Sequence, residues 1–263
     1  MSKESIQYKS EAEIELQRES SLLVGKTLAE VAKILKPGVS TKTLDELAET
    51  FIRDNGALPG FKGYGGFPAT LCISINDEVV HGIPGKRIVK DRDVVSIDCG
   101  TYKNGFYGDS AYTFAVGNVS EEVKLLLQRT KESLYLAIEQ AVDGKRIGDI
   151  GYAVQNYCER FGYGIVRDLV GHGVGRNLHE KPEVPNYGRR GTGAKLKEGM
   201  CIAIEPMVTL GNYNIQQDSD GWTIRTIDGS PAAHFEHDIA IRKGKADVLS
   251  TFNYIEEALK NQN

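Results

Sequence analysis

Several features are missing from this chain, and each absence narrows what it can be. Its four cysteines, Cys72, Cys99, Cys158 and Cys201, form no C-x-x-C pair, which argues against a zinc knuckle or a redox dithiol. Reduced, mostly buried thiols in the cytoplasm are the expectation. No run approaches the ~18 apolar residues of a membrane span. The opening Met1-Ser2-Lys3-Glu4-Ser5-Ile6 lacks the apolar core of a signal peptide. A formal net charge of −4 gives no reason to expect a membrane surface or a specific nucleic acid as partner. What remains is ordinary globular composition, 40% hydrophobic and 26% charged over 263 residues, enough for one large domain or two small ones.

The order of elements reads twice. Apolar positions from Ile14 to Leu35 predict a helix over 11–35, stopped by Pro37-Gly38. A second helix is predicted to start near Thr43, whose spacing to Glu46 matches a capping box, and to end at Asn55-Gly56. Strand-like runs follow at 71–75 and 94–98. Then the pattern returns, with a helix over 121–142 ending at Asp143-Gly144 and another ending at Phe161-Gly162. Gly38 and Gly144, and likewise Gly56 and Gly162, stand 106 residues apart, and Asp98 and Glu205 stand 107 apart. An offset held over so long a span predicts one domain, 1–263, built from two internal repeats of about 12–118 and 119–252. A cleft between such halves is where a site would form.

Five residues then stand out: Asp98, Asp109, His172, Glu205 and Glu236. Asp98 and Asp109 flank Asn104-Gly105, a two-residue hairpin signal. With that turn, Lys103 faces Phe106 and Asp109 faces Gly100, which would leave room for it. Asp98 then lies diagonal to Asp109, ~7 Å away at Cα. Glu205 ends the apolar run Met200–Ile204 before Pro206, and an acid there is costly to bury alone. Glu236 shares a strand face with His234 and Asp238 by alternation. His172 sits between Gly171 and Gly173, which permit close approach or unusual backbone angles. His81, in His81-Gly82-Ile83-Pro84, and His179 lie beside these motifs. Four carboxylates brought together would raise one another's pKa values. Two divalent ions would cancel that charge, and this oxygen-rich set suits Co, Mn, Fe, Zn or Mg.

Together these motifs resemble type I methionine aminopeptidase, in its bacterial short form, over about residues 12–252. The matching stretches are Cys72–Asn76, His81–Pro84, Ile97-Asp98, Gly105–Ser110, Gly171–Gly175, Ile204–Met207 and Phe235–His237. The resemblance implies an α+β pita-bread (creatinase/aminopeptidase) fold, with two pseudo-symmetric halves, a curved antiparallel sheet and outer helices. It implies two metal ions held by Asp98, Asp109, His172, Glu205 and Glu236, with Asp109 and Glu236 bridging. It implies removal of the initiator methionine from nascent chains when the second residue is small, by a water bridging the metals. Glu205 would be the general base, His81 would lie near the substrate amine, and His179 would polarise the scissile carbonyl. Tyr64, Phe67, Cys72, Leu178 and Trp222, with His81 and His179, would form the substrate pocket. Leu178 replaces a phenylalanine common in relatives, and His234 a glutamine. Transient ribosome contact is compatible with such substrates, and a monomer is expected. The alternatives are a proline-directed peptidase or a non-enzymatic binding protein of the same fold.

Overall fold

The computed structural model describes residues 5–261. The chain begins with α1 (Glu11–Ile34), α2 (Thr41–Asp54), β1 (Leu58–Pro59), β2 (Leu71–Ile75), β3 (Glu78–Val80), β4 (Val94–Lys103) and β5 (Phe106–Ala115). It continues with α3 (Glu121–Ile138), α4 (Ile147–Cys158), β6 (Gly164–Ile165), β7 (Gly171–Gly173), β8 (Glu180–Val184) and β9 (Cys201–Ile204). The last part is β10 (Met207–Thr209), β11 (Ile215–Gln217), β12 (Ile224–Thr226), β13 (Ala232–His234), β14 (His237–Ala240), β15 (Asp247–Val248) and α5 (Asn253–Lys260). Two helices therefore precede the strands, twice over.

Caps explain most helix boundaries. Ser10 opens α1 with a full capping box, its hydroxyl accepting from Glu13 N and the Glu13 carboxylate accepting from Ser10 N. The cap of α2 is Ser40, accepting from Thr43 N, so the helix starts two residues before the expected Thr43. The hydroxyl of Ser40 is one that Thr43 had seemed to supply. Helix α3 ends at Ile138 and not at 142. Val142 instead bridges Arg242, and Asp143 N donates to Arg242 O at 2.9 Å, so a long-range partner takes backbone that local periodicity assigned to the helix.

All strand pairings within the named sheets are antiparallel. One sheet runs β1-β4-β2 with β5 also on β4, and another runs β15-β14-β9-β7-β8. The hairpin register is the expected one: Lys103 faces Phe106 and Gly100 faces Asp109. Asn104 and Gly105 sit at φ 53° and 85°, the left-handed pair such a turn needs. Gly100 has a different purpose from the one expected. A Cβ there would fall 2.4 Å from the Phe61 ring, so the space belongs to Phe61 and not to Asp109.

The two sheets meet where β5 approaches the 234–238 segment. Glu236 N donates to Ala111 O at 3.0 Å, Ser110 Oγ to Glu236 O at 2.6 Å, and Thr113 Oγ1 to His234 O at 2.7 Å. Behind this seam Tyr112, Phe235 and Phe252 pack edge to face. Helix α1 lies across β5 so closely that a Cβ at Gly108 would fall 2.3 Å from Ser21 N. Among the described residues no helix is long and apolar enough to cross a membrane.

Candidate active site

The seam opens into a cavity of about 590 Å³. All five proposed ligands line it, as do His81, His179, Tyr64, Phe67, Cys72, Leu178 and Trp222.

Asp98 comes from β4, paired on one side with Cys72 and on the other with Ala111. Asp109 comes from β5, its N–H held by the Asp238 carboxylate at 2.8 Å. Glu236 lies in a break between β13 and β14, its backbone clamped by β5 as described. Asp98 Oδ1, Asp109 Oδ1 and Glu236 Oε1 are buried with no hydrogen-bond partner. Such orphaned oxygens are costly unless a cation or water meets them. Burial lifts the Asp98 pKa from 3.8 to about 7. Burial, then repulsion from Asp98, lifts Asp109 well above its ordinary value. Glu236 is lifted by burial and then by Asp109.

His172 stands on β7, wedged between neighbours. A Cβ at Gly171 would fall 2.5 Å from Ala203 O, and one at Gly173 2.5 Å from Lys181 O. The flanking glycines thus serve close approach and not unusual backbone angles, since neither has positive φ. His172 Nδ1 lies 2.9 Å from Gly173 O. A carbonyl only accepts, so Nδ1 carries the proton and Nε2 keeps a lone pair. Ligand atoms of Asp109, His172 and Glu236 lie within 4.8 Å of one another. His172 Nε2 is also 3.6 Å from Glu205 Oε1.

Glu205 follows the end of β9, its carbonyl accepting from Asn186 Nδ2 at 2.9 Å. Its other carboxylate oxygen is 3.4 Å from His234 Nε2, close enough for attraction though without an aligned hydrogen bond. Burial alone would raise Glu205, but His234 and His172 outweigh it and lower its pKa. His234 is 1% exposed and does share the carboxylate face. His237 turns away, stacked on Phe252 with centroids 3.9 Å apart.

His81 follows β3 at φ 61°, its pKa lowered by desolvation. His179 meets His172 edge to face at 4.3 Å. Desolvation, and then His172, lower its pKa to about 4. The apolar wall is Phe61, Phe67, Ala69, Cys72 and Leu178, with Trp222 packed against them. Phe67 and Trp222 meet edge to face at 5.1 Å. Phe61 and Met207 line the cavity without having been singled out in the sequence. The signal for Phe61 was Gly100, which a ring needed to be glycine.

The donor set fits divalent cations: oxygens from buried acids without partners, and an imidazole nitrogen with a free lone pair. Residues 15–243 match the model of metallopeptidase family M24. The methionine aminopeptidase of Clostridium acetobutylicum is 52% identical over 243 residues, 92% of this chain and 97% of that protein. Methionine aminopeptidase 1 of Bacillus subtilis is 48% identical, covering 92% and 98%. The crystal structure of the Thermotoga maritima methionine aminopeptidase superposes with a TM-score of 0.92 at 43% identity, covering 94% of this chain and 100% of that one. An Xaa-Pro dipeptidase from Bacillus anthracis, 22% identical, shares the fold at a TM-score of 0.76.

Proposed function

The chain belongs to metallopeptidase family M24 and has its pita-bread fold, and we infer that it is a metal-dependent aminopeptidase that removes N-terminal methionine. One observation carries the reading. Asp109, His172 and Glu236 converge within 4.8 Å, with orphaned carboxylate oxygens, at the floor of an apolar cavity.

Asp98, Asp109, His172, Glu205 and Glu236 would hold two divalent ions. Bound there, the ions would neutralise the carboxylates and bring a water's pKa from ~15.7 toward neutrality as the nucleophile. Glu205, whose carboxyl is held below its ordinary pKa by His234 and His172 against the effect of burial, would serve as the general base. His81 and His179, both lining the cavity, would lie near the substrate amine and polarise the scissile carbonyl, respectively. Phe61, Phe67, Cys72, Leu178 and Trp222 form a pocket matching an unbranched thioether side chain. The crowding around His172, His179 and Tyr64 supports a requirement for a small second residue.

The two stretches of about 12–118 and 119–252 are internal repeats of a single domain in this reading. Its support is the recurrence of two helices before strands and the matched positions of Asp98 after the start of β4 and Glu205 after β9. The same reading has the protein act as a cytoplasmic monomer on nascent chains in transient contact with the ribosome.

The test is release of free amino acid from Met-Ala-Ser and from Gly-Pro by protein stripped of metal and then given Mn, Co or Fe. Methionine should appear only with metal and only from the first peptide. Cleavage of Gly-Pro would move the chain to proline-directed chemistry, and silence with every metal would leave a binding protein.

A further inference from the structure

Tyr64 stands at the cavity mouth, 40% exposed, where its ring alone would serve as an apolar wall. Its hydroxyl has a specific partner: Tyr64 Oη lies 2.9 Å from His179 Nδ1. The rings meet edge to face with centroids 5.2 Å apart. The turn that presents Tyr64 is closed on itself. Tyr64 N donates to Phe61 O, Phe67 N to Tyr64 O and Gly63 N to Phe67 O, at 2.8–2.9 Å. His179 is anchored from the other side, because the next residue, Glu180, accepts from Lys9 Nζ at 2.5 Å and from Asn177 N at 3.1 Å.

A neutral imidazole carries one proton, on either of its two ring nitrogens. A phenol is a better donor than acceptor, and the bare imidazole nitrogen is a good acceptor. Tyr64 Oη–H therefore donates to Nδ1, and the ring proton stays on Nε2. His172 is held in the opposite form. Its Nδ1–H donates to Gly173 O, which leaves a lone pair on Nε2. Two imidazoles whose centroids are 4.3 Å apart are thus given opposite tautomers by opposite partners. One has a nitrogen that can ligate a cation. The other has an N–H that can meet a carbonyl oxygen and cannot ligate through that atom.

We infer that Tyr64 is a positioning residue that fixes His179 as its Nε2–H tautomer, the form that donates to the scissile carbonyl. The inference rests on the aminopeptidase reading above. The hydroxyl, and not the aromatic ring, carries this role, so Tyr64→Phe isolates it at an exposed position with the fold undisturbed.

The experiment compares metal-loaded wild type and Tyr64→Phe on Met-Ala-Ser, beside ¹⁵N-histidine spectra of both proteins loaded with Zn. Loss of a partner of this kind should lower kcat about 10–100-fold with KM changed by less than about twofold. The wild-type spectrum should show an unprotonated Nδ1 at His179, and the variant a mixture of tautomers. An unchanged kcat, a rise in KM alone, or a protonated Nδ1 in the wild type would each overturn the inference. If the wild type releases no methionine, the aminopeptidase reading fails, and with it the role assigned to Tyr64. The spectra would still show which tautomer His179 holds.

Discussion

Removing divalent ions should make this protein less stable as pH rises through the mildly acidic range, opposite to the usual acid sensitivity of a globular domain. The reason lies in Asp98, whose pKa in the fold is about 7 against an ordinary 3.8. Below the ordinary value both folded and unfolded chains hold the proton, and the group costs nothing. Between the two values the unfolded chain releases the proton while the folded one keeps it, so stability falls with rising pH. At about 1.4 kcal/mol per pH unit, the interval gives a loss of about 4 kcal/mol by pH 7. Asp109 and Glu236, raised by burial and mutual repulsion, push in the same direction. For a domain of this size that loss corresponds to a drop of roughly 10 °C in Tm. Bound cations would hold the same carboxylates ionised, so the stabilisation given by Mn should grow with pH. The assay is calorimetric melting in chelator at about pH 5 and pH 7.5, repeated with Mn. A chelated protein that melts at the same temperature at both pH values would show that these acids do not converge as described.

Gly100→Ala places a Cβ 2.4 Å from the Phe61 ring. It should cost about 1–3 kcal/mol in denaturant unfolding, and an unchanged midpoint would mean that Phe61 moves aside freely. Lys9→Met leaves Glu180 buried without its partner, both side chains being 5% exposed. A loss of ~3–5 kcal/mol is expected, against less than ~1 kcal/mol for Lys42→Met, whose pair with Glu46 is exposed. Equal effects in the two variants would contradict the burial argument. Trp222→Ala removes one wall of the apolar pocket, and KM for Met-Ala-Ser should rise about tenfold with little change in kcat. An unchanged KM would take Trp222 out of substrate binding.

How far the sequence could be read depended on how local the determining physics was. The β4–β5 register follows from two residues, Asn104 and Gly105, and every pair along the hairpin then falls into place. The apolar run 71–75 is β2 to the residue. The end of α3 could not be read, because it is set by Arg242, a hundred residues away. The same holds for Gly100, whose neighbour Phe61 comes from a different loop. In the site, Asp98 and Glu205 announced themselves at the end of apolar runs, whereas Asp109 was legible from the hairpin turn and Glu236 from strand alternation. The alternation expected through 234–241 is interrupted at Glu236, between β13 and β14, and the task of Asp238 in holding Asp109 N and Ser21 Oγ depends on how α1 crosses β5. The hydroxyl of Tyr64 was invisible for a similar reason: it pairs with a ring 115 residues further on.

The stitches from α1 and its approach have a consequence for synthesis. Lys9 grips Glu180 across 171 residues, and Ser21 grips Asp238 across 217. On a ribosome the first of each pair emerges long before its mate exists, with a delay of roughly 10–40 s at ordinary elongation rates. During that interval α1 can have its helical shape but not its seat, and its apolar face must be shielded by something else. The carboxylates of the first half likewise wait for His172 and Glu236. No truncated product that stops short of residue 236 can assemble the cluster, so catalytic competence should arrive as a single late event and not build up in stages.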